Sequence, residues 1–286
     1  YTEDTTSVQK ILKVVPVYKS YEELLDNSDA VYIITSPKYH YQDIRCAIER
    51  GKHVLCESPI ALSEKECEKL FALAKENKCV LMDAIKTAYS TAYHRMLLQV
   101  KSGKIGIPKS IEATCTSIRK IDSTDVSKLE KTWNSISAWG PTALLPVFQI
   151  FGTDYRDSRI ITWLDNEKYH YDAFTKIDFC YPDSVASIKV GQGVKSEGEL
   201  IISGTKGYIY VPAPWWKTEY YEIRYENQEN NRRYFYQLEG EGIRYELVSF
   251  ARSIESGRCM SNVEETISCK IAKIMEQFMN DEIIKI

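Results

Sequence analysis

The chain has 286 residues, with 37 Lys or Arg against 40 Asp or Glu, which leaves a formal net charge of −3. Because there is no basic excess, we predict no nucleic-acid partner. No apolar run approaches the roughly 18 residues of a spanning helix, so we also predict no membrane segment. Hydrophobic residues make up 44% of the chain, which is enough for the cores of one or two domains.

Cysteine and histidine usage indicates a reducing compartment and gives no sign of a metal site. The eight cysteines include no Cys-x-x-Cys pair, and most lie in apolar contexts, as buried free thiols do. The four histidines have no spacing that suits zinc, so no metal is predicted. The stretch 1–7 is polar and lacks the basic and apolar regions of a signal peptide. We therefore expect a cytoplasmic protein.

Residues 1–88 alternate between helical and strand patterns. The capping boxes Ser20-x-x-Glu23 and Ser63-x-x-Glu66 each mark a helix start. The strands are short and apolar on both faces, as strands of a parallel sheet are. This order predicts half of a doubly wound nucleotide-binding sheet. The predicted strands are Val31–Ile34, His53–Cys56 and Val80–Met82, and the predicted helix Tyr41–Arg50 lies between the first two.

Ligands bind doubly wound sheets at the carboxyl ends of the strands. Two polar loops of this chain fall at that edge, one after each of the first two predicted strands. We therefore predict that these loops hold a cofactor. The candidate cofactor-binding residues are Thr35, Ser36, Pro37, His40, Glu57, Ser58 and Pro59.

From about residue 109 the pattern changes to alternating β segments, which predicts a large, mostly antiparallel sheet. The expected architecture is an incomplete Rossmann-type parallel domain over residues 1–88, followed by a domain with a large, mostly antiparallel sheet over 89–286. The predicted strands are Lys109–Ile118, Arg159–Leu164, Ala173–Cys180, Val185–Val190, Glu199–Ser203, Tyr208–Val211, Tyr220–Tyr225 and Arg233–Leu238. The predicted helices are Ala88–Ser102, Thr142–Ile150, Ile243–Glu255 and Val263–Met279.

Residues 51–62, Gly-Lys-His-Val-Leu-Cys-Glu-Ser-Pro-Ile-Ala-Leu, resemble the signature of the Gfo/Idh/MocA oxidoreductases, the family of glucose–fructose oxidoreductase and inositol dehydrogenase. The loop Thr35–His40 and the pair Asp83-Ala84 resemble further family segments. The resemblance implies an NAD- or NADP-dependent enzyme that acts on a hydroxyl of a sugar, polyol or nucleotide sugar. It also implies a cis peptide bond at Ser58–Pro59 and a homodimer or higher oligomer formed through the tyrosine-rich C-terminal sheet.

The chain also departs from the family pattern at its beginning. It opens with a polar stretch and then Val8–Val15, which we interpret as the end of a helix. The family's Gly-x-Gly-x-x-Gly turn, which holds the pyrophosphate, does not occur. Gly191-Gln-Gly193 is followed by β-type residues rather than by a helix. We expect either an N-terminally incomplete sequence or a lost pyrophosphate site.

The family's catalytic residues are replaced as well. Ser58 stands where the family has a lysine, Pro146 where it has an aspartate and Ile150 where it has a histidine, so the catalytic residues of this chain are unknown. Lys86 lies near a lost family arginine and is a candidate substrate contact, although a solvated lysine is the simpler interpretation.

The pair Trp215-Trp216 either lines a carbohydrate site or packs at a loop–sheet junction. Two function classes therefore stay open. The first is an oxidoreductase with an altered proton path. The second is a catalytically degenerate family member that binds nucleotide or carbohydrate, or only dimerises, without turnover.

Overall fold

The computed structural model describes residues 16–119, 129 and 133–286 of the chain. Its strands form a three-stranded parallel sheet and a nine-stranded mixed sheet, which confirms the predicted fold class. The predicted helix end at Val8–Val15 lies outside the described residues. Within those residues, no helix is both long enough and apolar enough to cross a membrane.

The parallel sheet has the strand order β1-β2-β3, and Val54 in its central strand pairs with Val31 on one side and Leu81 on the other. The middle of β2 and all of β3 are buried, which explains their continuous apolar pattern. The elements are α1 (Tyr21–Asp26), β1 (Ala30–Ile33), α2 (Pro37–Glu49), β2 (His53–Glu57), α3 (Glu64–Glu76) and β3 (Leu81–Ala84).

Helix α2 begins at Pro37, four residues before the predicted start at Tyr41. A proline has no backbone N–H to lose in the first turn of a helix, and its fixed φ suits that position, so the helix can start there. As a result, His40 is a helical residue on the buried side of α2, whereas the sequence predicted it in a loop.

The connection between the two sheets is a 3₁₀ turn over Lys86–Tyr89 followed by α4 (Thr91–Lys101). The hydroxyl of Ser90 accepts a hydrogen bond from the backbone N–H of Tyr93 and caps α4. The predicted helix Ala88–Ser102 therefore included the last two residues of the 3₁₀ turn as well as α4. The predicted domain boundary at residue 88 falls inside the 3₁₀ turn. The hydrophobic core runs across it, because Met82 belongs to the same buried cluster as residues of the second sheet.

Helix α5 (Ser135–Phe151) starts seven residues before the predicted Thr142. Proline is disfavoured inside a helix, because it has no backbone N–H to donate and its ring crowds the preceding turn. Here α5 continues through Pro141 and Pro146, and most of its residues are buried. Burial of its apolar side chains offsets the two missing backbone donors, so tertiary packing overrides local propensity.

The nine-stranded sheet has the order β11-β10-β9-β8-β4-β7-β6-β5-β12. Its neighbours are antiparallel except for the pairs β4–β7 and β5–β12. The short strand β12 was not predicted. The strands are β4 (Pro108–Thr116), β5 (Asp157–Asn166), β6 (Tyr171–Cys180), β7 (Val185–Gly191), β8 (Leu200–Gly204), β9 (Tyr208–Val211), β10 (Tyr220–Arg224), β11 (Arg232–Phe235) and β12 (Ile284–Lys285).

Two C-terminal helices, α6 (Ile243–Ser256) and α7 (Glu265–Met279), return to the parallel sheet. The carboxylate of Glu276 in α7 accepts hydrogen bonds from the Ser63 hydroxyl at 3.1 Å and from the Glu64 backbone N–H at 3.2 Å. The start of α3 is therefore capped by a distant helix, and the predicted capping box does not supply the cap. This contact joins α7 to the start of α3.

Candidate functional site

A cavity of about 450 Å³ lies at the carboxyl ends of β2 and β3. Strand ends from the first sheet supply one side of it, and α5 and the loops after β9 and β11 supply the other. Ligands of doubly wound sheets bind at this edge, so the cavity is the candidate site. Its principal lining residues are Glu57, Ser58, Lys86, Thr87, Trp139, Thr142, Trp216, Lys217 and Glu241.

The loops at the strand ends are held by His40, which is fully buried. Its Nδ1 lies 2.8 Å from the carbonyl oxygen of Pro59, and its Nε2 lies 2.8 Å from that of Thr35. Burial lowers the pKa of His40, although both carbonyl oxygens favour the protonated ring. Because both ring nitrogens are engaged by the backbone, His40 joins the two loops and does not present a base to the cavity.

The predicted cofactor-binding residues do not all meet in one place. Ser36 and Pro37 line a second cavity of about 270 Å³, whereas Glu57 and Ser58 line the first. Trp133 lines both cavities and contacts the His40 ring edge-on, with 5.7 Å between centroids. The pair Ser36 and Pro37 and the pair Glu57 and Ser58 thus line two cavities that share Trp133 in their walls.

Two further predictions concern Thr35 and the peptide bond before Pro59. The hydroxyl of Thr35 donates to Asp43 Oδ2 at 2.9 Å within its own loop and helix. The Ser58–Pro59 peptide bond is cis, as the resemblance implied.

Ser58 is nearly buried, and its hydroxyl donates to Asp83 Oδ2 at 3.2 Å. The hydroxyl of Ser268 in α7 donates to the same oxygen at 2.7 Å. Burial raises the pKa of Asp83 to about 7, while the two hydroxyl donors lower it. The proton of Ser58 is therefore directed at a buried carboxyl, and Ser58 offers the cavity neither a charge nor a free donor.

Lys86 is one of the cavity-lining cations, and its side chain is 38% exposed, which fits both a solvated lysine and a substrate contact. Its Nζ lies 3.9 Å from Glu241 Oε2, and Nζ of Lys217 lies 2.7 Å from the same oxygen. Lys217 lowers the pKa of Glu241, with a smaller contribution from Lys86. Sequence reasoning missed Lys217 and Glu241 because both come from loops without a motif.

The two adjacent tryptophans point in different directions. Trp215 does not line the cavity: it is fully buried, and its Nε1 donates to the carbonyl oxygen of Thr114 at 3.0 Å. The prediction of a substrate contact is therefore wrong for Trp215, because packing against β4 removes it from the site. Trp216 does line the cavity beside Trp139, with 4.9 Å between ring centroids and 58° between planes. A Cβ on Gly198 would lie 2.8 Å from the Trp216 ring, so glycine makes room for it.

The family-equivalent positions on α5 do not line the cavity. Pro146 is buried within the helix, and Ile150 packs against the main hydrophobic core. The part of α5 that lines the cavity includes Trp139 and Thr142, so its polar contribution there is a hydroxyl. Helix α5 contains no titratable side chain, and an acid or base for the cavity must come from elsewhere.

One such group is Glu57, whose carboxylate belongs to a hydrogen-bonded chain that sequence reasoning missed. The Tyr32 hydroxyl makes a short hydrogen bond to Glu57 Oε1 and lies 3.3 Å from Glu246 Oε1. Glu246 is fully buried, and its Oε2 has no hydrogen-bond partner among the described residues. No local sequence pattern predicts these hydrogen bonds, because Tyr32 and Glu246 are far apart in the sequence and only the packing of α6 brings them together.

Comparisons with known proteins give both sequence and fold relatives. Residues 2–84 match the model of the Gfo/Idh/MocA oxidoreductase family, which describes an NAD-binding Rossmann fold. The D-xylose 1-dehydrogenase (NADP(+)) of Hypocrea jecorina is 36% identical over 91 residues, which are 31% of this chain and 23% of that protein. The scyllo-inositol 2-dehydrogenase (NADP(+)) of Bacillus subtilis is 44% identical over 64 residues, which are 22% of this chain and 20% of that protein. The matched segments thus span about a quarter or less of these two relatives.

Solved structures extend the likeness of fold to nearly the whole chain. A 3-ketoreductase from Actinomadura kijaniata, in complex with NADP and TDP-benzene, has a TM-score of 0.81 at 18% identity, covering 94% of this chain and 83% of that chain. A levoglucosan dehydrogenase in complex with NADH and levoglucosan has a TM-score of 0.78 at 16% identity, covering 92% of this chain and 80% of that chain. At these identities the similarity establishes the fold.

Proposed function

We propose that this chain, whose residues 2–84 match the Gfo/Idh/MocA family model, is a member of that family and an NAD- or NADP-dependent oxidoreductase acting on a hydroxyl of a sugar, polyol or nucleotide sugar. The observation that carries the proposal is the cavity at the carboxyl ends of β2 and β3, with polar strand-end residues on one side and an aromatic wall on the other. It lies at the sheet edge where dinucleotide-binding folds hold their ligands.

The lining of the cavity fits the nicotinamide end of such a cofactor. Glu57 places a carboxylate at the strand ends, and His40 fixes the loop after it through the Pro59 carbonyl. Ser58 and Thr87 add two hydroxyl oxygens that can accept hydrogen bonds, since their protons are donated to Asp83 and to the Trp216 carbonyl oxygen. These residues would hold the nicotinamide and its ribose. When bound, the cofactor supplies or accepts the hydride, and the protein then has to position the substrate and move one proton.

The opposite wall suits a sugar-like substrate. The Trp216 and Trp139 rings offer an apolar surface for the C–H face of a sugar, while Thr142, Lys86 and Lys217 supply hydrogen bonds to its hydroxyls. The ammonium of Lys86 can also stabilise negative charge that develops on a reacting oxygen. We therefore infer substrate contacts at Lys86 and Trp216, whereas Trp215 is a packing residue.

Assembly and location complete the proposal. A homodimer or higher oligomer would form through the face of the nine-stranded sheet that carries Tyr208, Tyr220 and the 74% exposed Phe235, since aromatic residues are enriched at interfaces. A cytoplasmic location is supported by the eight cysteines, all of which are free thiols.

The test combines cofactor binding with turnover. Thermal shift and fluorescence titration with NAD⁺, NADH, NADP⁺ and NADPH should show saturable binding of at least one nicotinamide pair. Turnover of a panel of sugars, polyols and sugar nucleotides should then follow with that cofactor. Lys86→Met should lower turnover, whereas the exposed control Lys65→Met should leave it unchanged. Binding without any turnover would favour the non-catalytic alternative, which the replaced residues Ser58, Pro146 and Ile150 keep as the second candidate.

A further inference from the structure

The cavity contains one carboxylate that is tied to a second, buried carboxyl through a phenol. Glu57 lines the cavity, and the Tyr32 hydroxyl contacts the carboxyl groups of both Glu57 and Glu246. Glu246 belongs to α6 and is fully buried. A buried carboxyl at the rear of a cavity is costly unless it is neutral or fully hydrogen-bonded. Glu246 is not fully hydrogen-bonded, because its Oε2 has no partner among the described residues.

The Tyr32 hydroxyl lies between the two carboxyls, in a short hydrogen bond to Glu57 Oε1 and 3.3 Å from Glu246 Oε1. A tyrosine hydroxyl has one proton to donate, so both contacts can be hydrogen bonds only if one of the two carboxyls is itself protonated and donates to the Tyr32 oxygen. Burial assigns that proton to Glu246, which is fully buried and whose Oε2 has no partner among the described residues, whereas Glu57 lines the cavity. In this assignment the hydrogen bonds run from neutral Glu246 through Tyr32 to ionised Glu57.

The surrounding charges support this assignment. The groups that act on Glu246 are the carboxylates of Glu57 and Asp83, the hydroxyl of Tyr32 and the ammonium of Lys86. Burial and the charge of Glu57 raise the pKa of Glu246 to about 8, and Tyr32 and Lys86 oppose that rise. Burial also raises the pKa of Glu57, while Tyr32 and Lys86 lower it. Tyr89 also lies within the electrostatic reach of Glu246.

We propose that Glu57 is the acid–base residue of the reaction and that neutral Glu246, acting through Tyr32, is a positioning residue that keeps Glu57 ionised between turnovers. This inference rests on the proposed function. It assigns the proton step to a group that lines the cavity, whereas Ser58 directs its proton at Asp83 and α5 offers no titratable side chain.

Glu57 can serve the reaction in both directions, as a base in oxidation and as an acid in reduction. During oxidation, the substrate hydroxyl gives its proton to Glu57 while the hydride on the same carbon leaves to oxidised nicotinamide, and the C–O bond becomes a carbonyl. During reduction, Glu57 returns a proton to the carbonyl oxygen as the carbon receives hydride. Glu57 exchanges its proton with solvent from the cavity side, because Glu246 is enclosed.

The first test needs no cofactor. The infrared difference spectrum of wild type minus Glu246→Gln at pH 7 should contain a neutral-carboxyl band, since the signal of Asp83, whose pKa is about 7, is present in both proteins. The difference spectrum of wild type minus Glu255→Gln, a matched change at an exposed position of the same helix, should lack this band. Absence of a Glu246 band at pH 7 would overturn the assignment of a neutral Glu246.

The second test measures cofactor binding and turnover separately. At saturating cofactor, Glu57→Gln should lose about 10²- to 10⁴-fold in kcat, the usual range for an acid–base group. The wild-type pH–rate profile should contain an ionisation near pH 8 that Glu246→Gln lacks and Glu255→Gln retains. Full turnover by Glu57→Gln would contradict the acid–base role of Glu57 but not the proposed function. Failure of the wild type to bind any nicotinamide cofactor would contradict the proposed function, and the catalytic role of Glu57 with it.

Discussion

The buried carboxyl of Glu246 should make the stability of the fold depend on pH. Its pKa is raised from an ordinary 4.5 to about 8 in the folded chain, mainly by burial. The folded state then binds more protons than the unfolded state between these values, so stability falls as the pH rises. The contribution is fully present below about pH 4.5 and is lost as the pH rises towards 8. The slope reaches about 1.4 kcal/mol per pH unit, which amounts to roughly 3 kcal/mol at pH 7.

Urea unfolding of wild type and Glu246→Gln at pH 5, 6, 7 and 8 measures this dependence. The variant has no group to titrate at this position. The free energy of unfolding of the wild type should therefore fall relative to that of the variant by about 1 kcal/mol for each pH unit in this range. Glu255→Gln, exposed on the same helix, should follow the wild type. Parallel curves for wild type and Glu246→Gln would refute the reasoning, because they would mean that Glu246 ionises alike in both states.

The other predictions concern the cavity wall and the replaced lysine. Trp216→Ala should lower kcat/KM for the sugar substrate while cofactor affinity stays the same, and Trp163→Ala, on an edge-side strand of the second sheet, serves as control in steady-state assays. Gly198→Ala should cost about 1–3 kcal/mol of stability, because the new methyl group meets the Trp216 ring; an unchanged urea midpoint would mean that the ring simply moves. Ser58→Lys alone should not bring turnover to the level of family members, because its ammonium would face buried Asp83 and groups that work as a unit are not repaired singly; a large gain in kcat would contradict this.

Most of the fold could be predicted because its strands follow local rules. Short apolar runs predicted the parallel strands, and alternating patterns predicted the antiparallel ones to within a few residues. The errors have specific causes. Helix α5 was predicted too short at its start, because no local pattern shows that burial extends the helix through Pro141. The start of α3 was assigned to a capping box, whereas Glu276 from a distant helix supplies the cap.

The candidate site could be predicted only in part. Glu57 and Ser58 were found because strand ends of a doubly wound sheet converge at a known edge. Lys217, which lines the cavity, and Glu246, which contacts Tyr32 behind it, were missed because long-range packing places them and leaves no spacing to recognise. The roles of Trp215 and Trp216 could not be separated either, since neighbouring residues in a 3₁₀ turn point in different directions, and only the position of β4 decides which one is buried.

Transfer of hydride between a nicotinamide and a sugar-like substrate is the central claim. It can be measured directly with NADH and NADPH that carry deuterium at the reactive carbon, incubated with a panel of keto-sugars and sugar-nucleotide ketones. Mass spectrometry should find one deuterium on the carbon of the new hydroxyl, with slower incorporation by Glu57→Gln and normal incorporation by Glu255→Gln. Saturable cofactor binding without deuterium in any product would contradict the claim.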